Sequence, residues 1–451
     1  MTMCMDSATI EIPMVGRSNR SAPRRGGSYR WLEARLRQIL PCIIRTLSRF
    51  RSMEEAEILG TNTNSRPETH PGATAEAAGL LSDDLILEIL SRLPVRSLHH
   101  FMCVSVSWRN LIADPANRRT LPQTLAGFFY MTINNRIGHH FASVSGDGAA
   151  PFDLSIPYLH NNKYGGITQL DACNGLLLYC GFKKKMESWD DFRFLVCNPA
   201  TGRWVELPPR PPVPANRYCC TTGLAFDPTV SSHFYVLHFE QAVPGTYITG
   251  VNIYSSQTGA WSFRSGSRMV EKVVPLNSKC VFIGGMMYLI GNLTGFNNKY
   301  VLMVVDTEGE VWKTIPVPYG RGSATIGVSQ GCLHYVVAST LSVNDSNELL
   351  ASGITLWCLK DHDSKELVLK RSANINELMG MIGEKYRVAA IHPDCDTVFL
   401  MSSGGDTLVA YDMQHQKLHC ILNLEKGITK PKRFLPYVPL FSESLPDADG
   451  Q

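Results

Sequence analysis

A serine held between two glycines, Gly327-Val-Ser329-Gln-Gly331, has the G-x-S-x-G spacing of a nucleophile elbow. That chemistry needs a strand before the serine and a helix after it, so that the hydroxyl is presented at the helix start. The residues that follow, Cys332-Leu-His334-Tyr-Val-Val337, have strand character instead, and a hairpin turn accounts for them better. His392 and Cys395, then His415, His419 and Cys420, have the i+3 and i+4 spacings of zinc ligands. A structural zinc site usually draws on two compact ligand pairs. Here no Cys-x-x-Cys occurs and both groups sit in strand patterns, so buried thiols and surface histidines are the default expectation. Neither a G-x-x-x-x-G-K-[ST] phosphate loop nor a G-x-G-x-x-G following a strand is present. The expectation is a chain with no catalytic residue, no cofactor motif and no metal site.

The elements that would position any site come from the wider composition. The 451 residues are 44% hydrophobic and 18% charged, enough to bury a core in two or three domains and too apolar for wholesale disorder. No uncharged apolar run approaches the ~20 residues that span a bilayer. The formal charge of +3 hides an asymmetry. Residues 1–52 carry ten arginines against Asp6, Glu11 and Glu33, a net of +7, which leaves −4 on the remainder. A mildly acidic body is a poor phosphate-backbone binder. Thirteen scattered cysteines without a secretory leader point to a reducing compartment, cytosol or nucleus.

Residues 1–78 read as a disordered basic extension, rich in Ser, Arg, Gly and Pro. Within it Leu32, Leu36, Ile39, Ile43 and Leu47 recur at helical spacing among arginines until Pro41 interrupts them, a pattern also compatible with organelle targeting. Residues 79–120 differ: three short helices are expected. Ser82 caps the first, Asp83 and Asp84 favour its dipole, and Leu85, Ile89 and Leu93 form a stripe beside Ile86 and Leu90. Pro94 ends that helix and can open a second carrying Val95, Leu98 and Phe101. A third turns on Trp108, Leu111 and Ile112 and closes at Asp114-Pro115. About forty residues bury little alone, so surplus apolar faces on this unit call for a partner.

Residues 125–445 carry two alternating strand signatures, with 446–451 left as a tail. One is a polar turn followed by a bulky residue: Asn198-Pro-Ala-Thr-Gly202-Arg-Trp204, Ser255-Ser-Gln-Thr-Gly259-Ala-Trp261 and Asp306-Thr-Glu-Gly309-Glu-Val-Trp312, with weaker copies from Asp361 and Asp412. The other is a small residue, two apolar residues and an aromatic: Gly127 to Tyr130, Gly175 to Tyr179, His233 to Tyr235, Gly285 to Tyr288 and Gly331 to Tyr335, with a degenerate copy at Thr397 to Phe399. Asn/Asp-Gly pairs suit hairpin turns, and a repeat of roughly fifty residues without helical pattern fits four-stranded propeller blades. The count predicts about six blades, the first closed by a strand from Arg433–Phe441.

The stretch Leu81-Ser-Asp-Asp-Leu-Ile-Leu-Glu-Ile-Leu-Ser-Arg-Leu-Pro-Val-Arg-Ser-Leu98, followed by Cys103-Val-Ser-Val-Ser-Trp-Arg-Asn-Leu-Ile-Ala-Asp-Pro115, resembles an F-box. The whole of about 80–445 is similar to the plant F-box proteins with an F-box-associated, kelch-like propeller, including Asn198–Pro208 and the closing Leu435–Leu445. The resemblance implies an α + all-β chain: a short three-helix F-box and a kelch-like β-propeller of about six blades. It implies a substrate receptor of a Skp–cullin–F-box ubiquitin ligase, the F-box docking on a Skp-family adaptor and through it a cullin, the propeller holding an unknown target protein. By position the adaptor contacts are Leu81, Leu85, Ile89, Leu93, Pro94, Val95, Leu98, Val104 and Trp108. Two positions depart from the family: Ser82 stands where proline is usual, and Val106 where a basic residue is common.

Two alternatives from other classes stand beside this reading. One is a propeller enzyme or ligand-binding protein whose F-box-like helices do not engage the adaptor. The other is nucleic-acid binding by the Arg-rich residues 17–51 with Tyr29 and Trp31 for stacking, though no recognised module surrounds them.

Overall fold

The computed structural model describes residues 9–11, 82–91, 106–113 and 117. Within 125–445 it describes all except 134–136, 145–163, 184–191, 212–217, 242, 244–245, 270, 295–298, 319–323, 344–348, 361–365, 375–385, 403–404, 406, 424–431 and 441–444. The chain divides into two compact units, Met14–Gln123 and a larger one made of Met1–Pro13 with Thr124–Gln451. In the smaller unit the described helices are α1 (Asp83–Ser91) and α2 (Val106–Ala113). The stretch expected to hold a helix around Val95–Phe101 lies outside the described residues.

The larger unit is built from antiparallel sheets. Blade 1 holds β1 (Thr9–Glu11), β2 (Gly127–Ile133) and β3 (Ile137–Ser143). Blade 2 is β4 (Tyr164–Cys173), β5 (Leu176–Lys183), β6 (Phe192–Asn198) and β7 (Arg203–Glu206). Blade 3 is β8 (Tyr218–Phe226), β9 (Phe234–Gln241), β10 (Ile248–Ser255) and β11 (Ala260–Ser265). Blade 4 is β12 (Val273–Ile283), β13 (Met286–Leu293), β14 (Tyr300–Asp306) and β15 (Trp312–Pro316). Blade 5 is β16 (Ala324–Ser329), β17 (Cys332–Val343), β18 (Leu349–Leu359) and β19 (Leu367–Asn374). Blade 6 is β20 (Tyr386–Ile391), β21 (Thr397–Ser402), β22 (Thr407–Asp412) and β23 (Lys417–Asn423). The last strand, β24 (Lys432–Tyr437), returns to blade 1, whose order is β1-β3-β2-β24. The result is a six-bladed propeller, as the spacing of the repeats predicts.

Both repeat signatures have a conformational origin. Between the first and second strands of blades 2, 4 and 5, two consecutive residues have positive φ: Asn174 and Gly175 (44° and 88°), Gly284 and Gly285 (58° and 77°), Gln330 and Gly331 (52° and 71°). That is the primed two-residue hairpin, whose twist matches the strands it joins. The aromatic that follows, Tyr179, Tyr288 or Tyr335, is fully buried. The polar signature is the turn between the third and fourth strands. There Gly202, Gly259 and Gly309 have φ near 70° and donate back to the carbonyls of Asn198, Ser255 and Asp306. The tryptophan after each turn starts or lies just inside the outer strand. Trp261 donates its indole N–H to the Pro208 carbonyl at 3.0 Å, tying blade 3 to blade 2.

There is one apolar wedge for each blade interface rather than a single central core. Between blades 2 and 3, Leu176, Leu178, Phe194 and Val196 meet Leu224, Phe226, Phe234 and Val236. Between blades 5 and 6, Val336, Ile354 and Leu356 meet Ile391, Val398 and Leu400. At about 1.5–3 kcal/mol for each large side chain buried, these wedges hold the ring together. Polar ties accompany them. Ser329 Oγ donates to the Cys395 carbonyl at 3.2 Å, and Lys370 and Arg371 of blade 5 pair with Asp396 of blade 6 at 2.6 and 2.8 Å.

The closing strand begins one residue earlier and ends four residues sooner than the expected Arg433–Phe441. It pairs Gly127 with Tyr437, Phe128 with Pro436 and Phe129 with Leu435. An edge strand tolerates Pro436, which has no N–H to give. Beyond Tyr437 the chain leaves the sheet, and Leu440 and Leu445 are buried in the wedge of blades 2 and 3 instead. Asn198 Nδ2 and Arg203 Nη1 donate to the Leu440 and Leu445 carbonyls at 2.8 and 2.9 Å. At the opposite edge of blade 1, Thr9–Glu11 pairs with β3, Thr9 facing Ala142. Composition alone assigned this segment to the disordered extension; its Thr-Ile-Glu alternation suits an edge strand.

Gly175 and Gly285 share a left-handed backbone but differ in surroundings. A Cβ on Gly175 would lie 2.2 Å from Leu440 Cβ, whereas one on Gly285 meets nothing within 4 Å. Gly285→Ala is expected to cost about 1 kcal/mol for φ alone, and Gly175→Ala a further ~1–3 kcal/mol for overpacking, as measured by urea unfolding. A second expectation concerns acid. Burial holds the imidazoles of His139 and His392 down to about 4 and that of His238 down to about 3, with the Arg210 charge adding to the last. Between those values and about 6.5 the unfolded chain binds protons that the folded chain refuses, so stability falls as pH drops through that window. Each histidine contributes up to about 1.4 kcal/mol per pH unit. Thermal unfolding followed from pH 7 to 4 should show this slope, and His238→Gln should remove about one proton's share of it.

Candidate functional site

The helical unit is set up by its first cap. Ser82 precedes α1; its carbonyl accepts from the Leu85 and Ile86 N–H groups at 3.0 Å, and its hydroxyl lies 3.4 Å from the Leu85 N–H. Asp83 and Asp84 place negative charge in the first turn, where the helix dipole favours it. The apolar residues of α1 then divide into two rows. Ile86 and Leu90 are buried at 8% and 0% exposure, while Leu85 and Ile89 stand 47% and 43% exposed. Positions i and i+4 lie on one face, so Leu85 and Ile89 form a continuous apolar strip directed at solvent. In α2 Ile112 is buried and Trp108 half-buried, and Asn117 Nδ2 donates to the Leu111 carbonyl at 3.0 Å. Of the residues expected to contact an adaptor, Leu81, Leu93, Pro94, Val95, Leu98 and Val104 lie outside the described residues.

The propeller presents a different kind of site. The first strands of blades 2, 4, 5 and 6, with β24, line two adjoining cavities of about 140 and 130 Å³ that share Asp171, Lys279 and Leu435. Asp171 is buried and accepts from the Ala172 N–H at 2.9 Å and, across the blade boundary, from the Leu224 N–H at 2.8 Å. Lys279 donates to Thr325 Oγ1 at 3.1 Å, bridging blades 4 and 5. Burial pushes its ammonium down to about 8, a shift that the Asp171 carboxylate opposes. Arg387, at the start of blade 6, lines the smaller cavity and is exposed. These four residues come from four different blades, and no motif links them in sequence; only the ring brings them together.

The enzyme-like patterns have ordinary structural roles. Ser329 ends β16, fully buried, and is followed by the hairpin turn rather than a helix. His392 Nδ1 accepts from the Asp394 N–H at 3.0 Å, Cys395 Sγ donates to Thr397 Oγ1 at 3.2 Å, and His415 Nδ1 pairs with Asp412 at 2.7 Å. Among the described residues no three His, Cys, Asp or Glu side chains converge as a metal site would require.

Residues 80–120 match the family model described as the F-box domain, and residues 131–430 match the one described as "F-box protein At3g26010-like, beta-propeller". An F-box/kelch-repeat protein of Arabidopsis thaliana is 25% identical over 360 residues, covering 74% of this chain and 78% of its own. An F-box protein of the same plant is 26% identical over 358 residues, covering 75% of this chain and 78% of its own. Among solved structures, a chain of a nidogen/laminin complex aligns over 69% of this chain and 99% of its own, with 8% identity and a TM-score of 0.39.

The channel geometry makes Asp171 a structural carboxylate as well as a charged one. Asp171→Ala would leave the Leu224 N–H without this acceptor in a buried setting and is expected to cost about 1–3 kcal/mol. Asp171→Asn, which keeps one carbonyl oxygen, should cost less. Urea unfolding of both variants gives the comparison.

Proposed function

The chain belongs to the plant F-box proteins that carry a β-propeller, and from that membership we propose that it is the substrate-recognition subunit of a Skp–cullin–F-box ubiquitin ligase. The observation that carries the reading is the joining of an F-box over 80–120 to a propeller over 131–430 in one polypeptide. One unit docks on a shared scaffold, and the other selects what is brought to it. The F-box engages a Skp-family adaptor and through it a cullin; the propeller holds a target protein. The chain itself is not an enzyme in this reading. Ubiquitin is transferred by partner subunits, and the receptor only positions the target.

On the adaptor side, Leu81, Leu85, Ile89, Leu93, Pro94, Val95, Leu98, Val104 and Trp108 form the docking surface. Support comes from α1: the Leu85 and Ile89 strip is left in solvent while its neighbours Ile86 and Leu90 are buried. On the target side, a rigid propeller carries loops that can vary without disturbing the blades, the usual arrangement for a recognition surface. The complex works in the cytosol or nucleus. All seven cysteines whose state is described, from Cys173 to Cys395, are free thiols, which fits a reducing compartment.

The test is co-purification of the full chain with a Skp-family adaptor, next to a Leu85→Asp, Ile89→Asp variant. Because both side chains are exposed, the variant should fold. Each substitution is expected to remove about 2 kcal/mol of binding, roughly 30-fold in affinity. A folded wild-type chain that ignores the adaptor, or a variant that binds as well as wild type, overturns the proposal.

A further inference from the structure

We propose that the outer edge of blade 1 is a docking site for an extended polypeptide segment of a partner, a slot that this chain fills with its own Thr9–Glu11. This goes beyond the receptor reading and holds whether or not α1 docks an adaptor. In each of blades 2 to 6 the outermost strand carries a cation: Arg203 in β7, Arg264 in β11, Lys313 in β15, Lys370 in β19 and Lys417 in β23. Charge on an edge strand discourages a further strand from adding to it.

Blade 1 is made differently. Its third strand from the channel, β3, reads Ile-Gly-His-His-Phe-Ala-Ser, without Lys, Arg, Asp, Glu or Pro. The last four of these residues, His140 to Ser143, are buried. His140 stacks on Tyr130 at 5.0 Å and shares a hydrogen bond with Thr132 Oγ1 at 2.8 Å, and Phe141 lies in the wedge shared with blade 2. That is the composition and burial of an interior strand, whose backbone needs a neighbour on each side. On the outer side, among the described residues, the neighbour is β1, more than one hundred residues upstream of β2.

The slot is only partly used. Thr9, Ile10 and Glu11 pair with Ala142, Phe141 and His140, three of the seven positions of β3. Counted on in that register, Pro13 falls opposite Gly138. Proline has no N–H to give to a ladder, so the sequence itself stops the strand short. A three-residue ladder on so long a tether is a weak hold, because a tether raises local concentration less the longer it is. A separate segment that pairs along all of Ile137–Ser143 makes seven pairings against three and displaces it, by strand addition to a sheet edge. The partner that fits is an extended segment of about seven residues, antiparallel to β3, free of proline and apolar opposite Phe141, the position that Ile10 holds.

The test is fluorescence anisotropy of a dye-labelled peptide, residues 8–14 with Pro13→Thr, titrated with the full chain. In the register of β1 its seven residues cover β3 from Ser143 to Ile137. Ladder positions alternate along a strand, so Ile10→Pro together with Glu11→Pro removes a donor whichever of the two faces β3. Made in the chain, this pair of changes vacates the slot, and thermal unfolding reports whether the propeller is intact. Saturable binding is expected, at least tenfold tighter to the variant than to the wild-type chain, whose own strand competes. The same two changes made in the peptide should abolish binding. Hydrogen exchange on the wild-type chain at saturating peptide should slow the amides of 137–143, which keeps the test decisive should the variant not fold. No saturable binding to a folded variant, binding that survives the prolines in the peptide, or slowing confined to other blades would overturn the assignment. A wild-type dimer that forms with concentration and is lost in the variant would overturn it too, giving the slot to a second copy of this chain.

Discussion

Three paired positions, Gly127 with Tyr437, Phe128 with Pro436 and Phe129 with Leu435, join the last strand to the first blade, and every other blade depends on that closure. Each blade is apolar on both faces, so an open row of six would leave two faces in water. Bringing together strands some three hundred residues apart costs on the order of 5 kcal/mol in chain entropy, since that cost rises only with the logarithm of length. Burying Phe128, Phe129, Phe434 and Tyr437 at the junction returns about 1.5–3 kcal/mol each, which offsets it. The rings also interlock: Phe128 meets Phe399 of blade 6 edge-on at 4.6 Å, and Tyr130 stacks on Phe434 at 5.0 Å. Gly127, at the end of that junction, is required by the packing inside blade 1, because a Cβ there would lie 2.1 Å from the Ala142 carbonyl oxygen of β3.

Closure has a consequence for the channel. The innermost strands converge, so side chains that point inward share a confined space, and polar ones must find partners in it or hold water. Asp171 does so by tying blade 2 to blade 3, and Lys279 by reaching Thr325 in blade 5. The same contacts that stiffen the ring place opposite charges around a cavity. At the boundary of blades 5 and 6, the Asp396 carboxylate would be pushed up by burial but is held below its usual range by Lys370 and Arg371.

The two units answer different demands. The propeller buries most of its large apolar side chains within itself, wedge by wedge, while α1 of the helical unit buries Ile86 and Leu90 and leaves Leu85 and Ile89 in solvent. A chain built this way can vary its propeller loops without disturbing the blades or the helical unit.

Much of this was legible in the chain itself. The cap at Ser82, the acidic first turn, the primed Asn174-Gly175 and Gln330-Gly331 hairpins and the Gly-x-Trp turns are local events. Their dihedral preferences and short-range hydrogen bonds act within a few residues, so sequence alone determined them, and their spacing determined the number of blades. The match of 80–98 to an F-box rested on the same kind of local pattern. What the sequence left open was decided at long range. Whether Leu85 or Ile86 faces solvent depends on how α1 packs, since both sit on the apolar side of the helix. That the chain stops being a strand at Tyr437 and sends Leu440 and Leu445 into another blade depends on a cavity formed by residues two hundred positions away. The grouping of Asp171, Lys279, Thr325 and Arg387 exists only because six inner strands meet at one axis, and no spacing along a polypeptide encodes a distance across a closed ring.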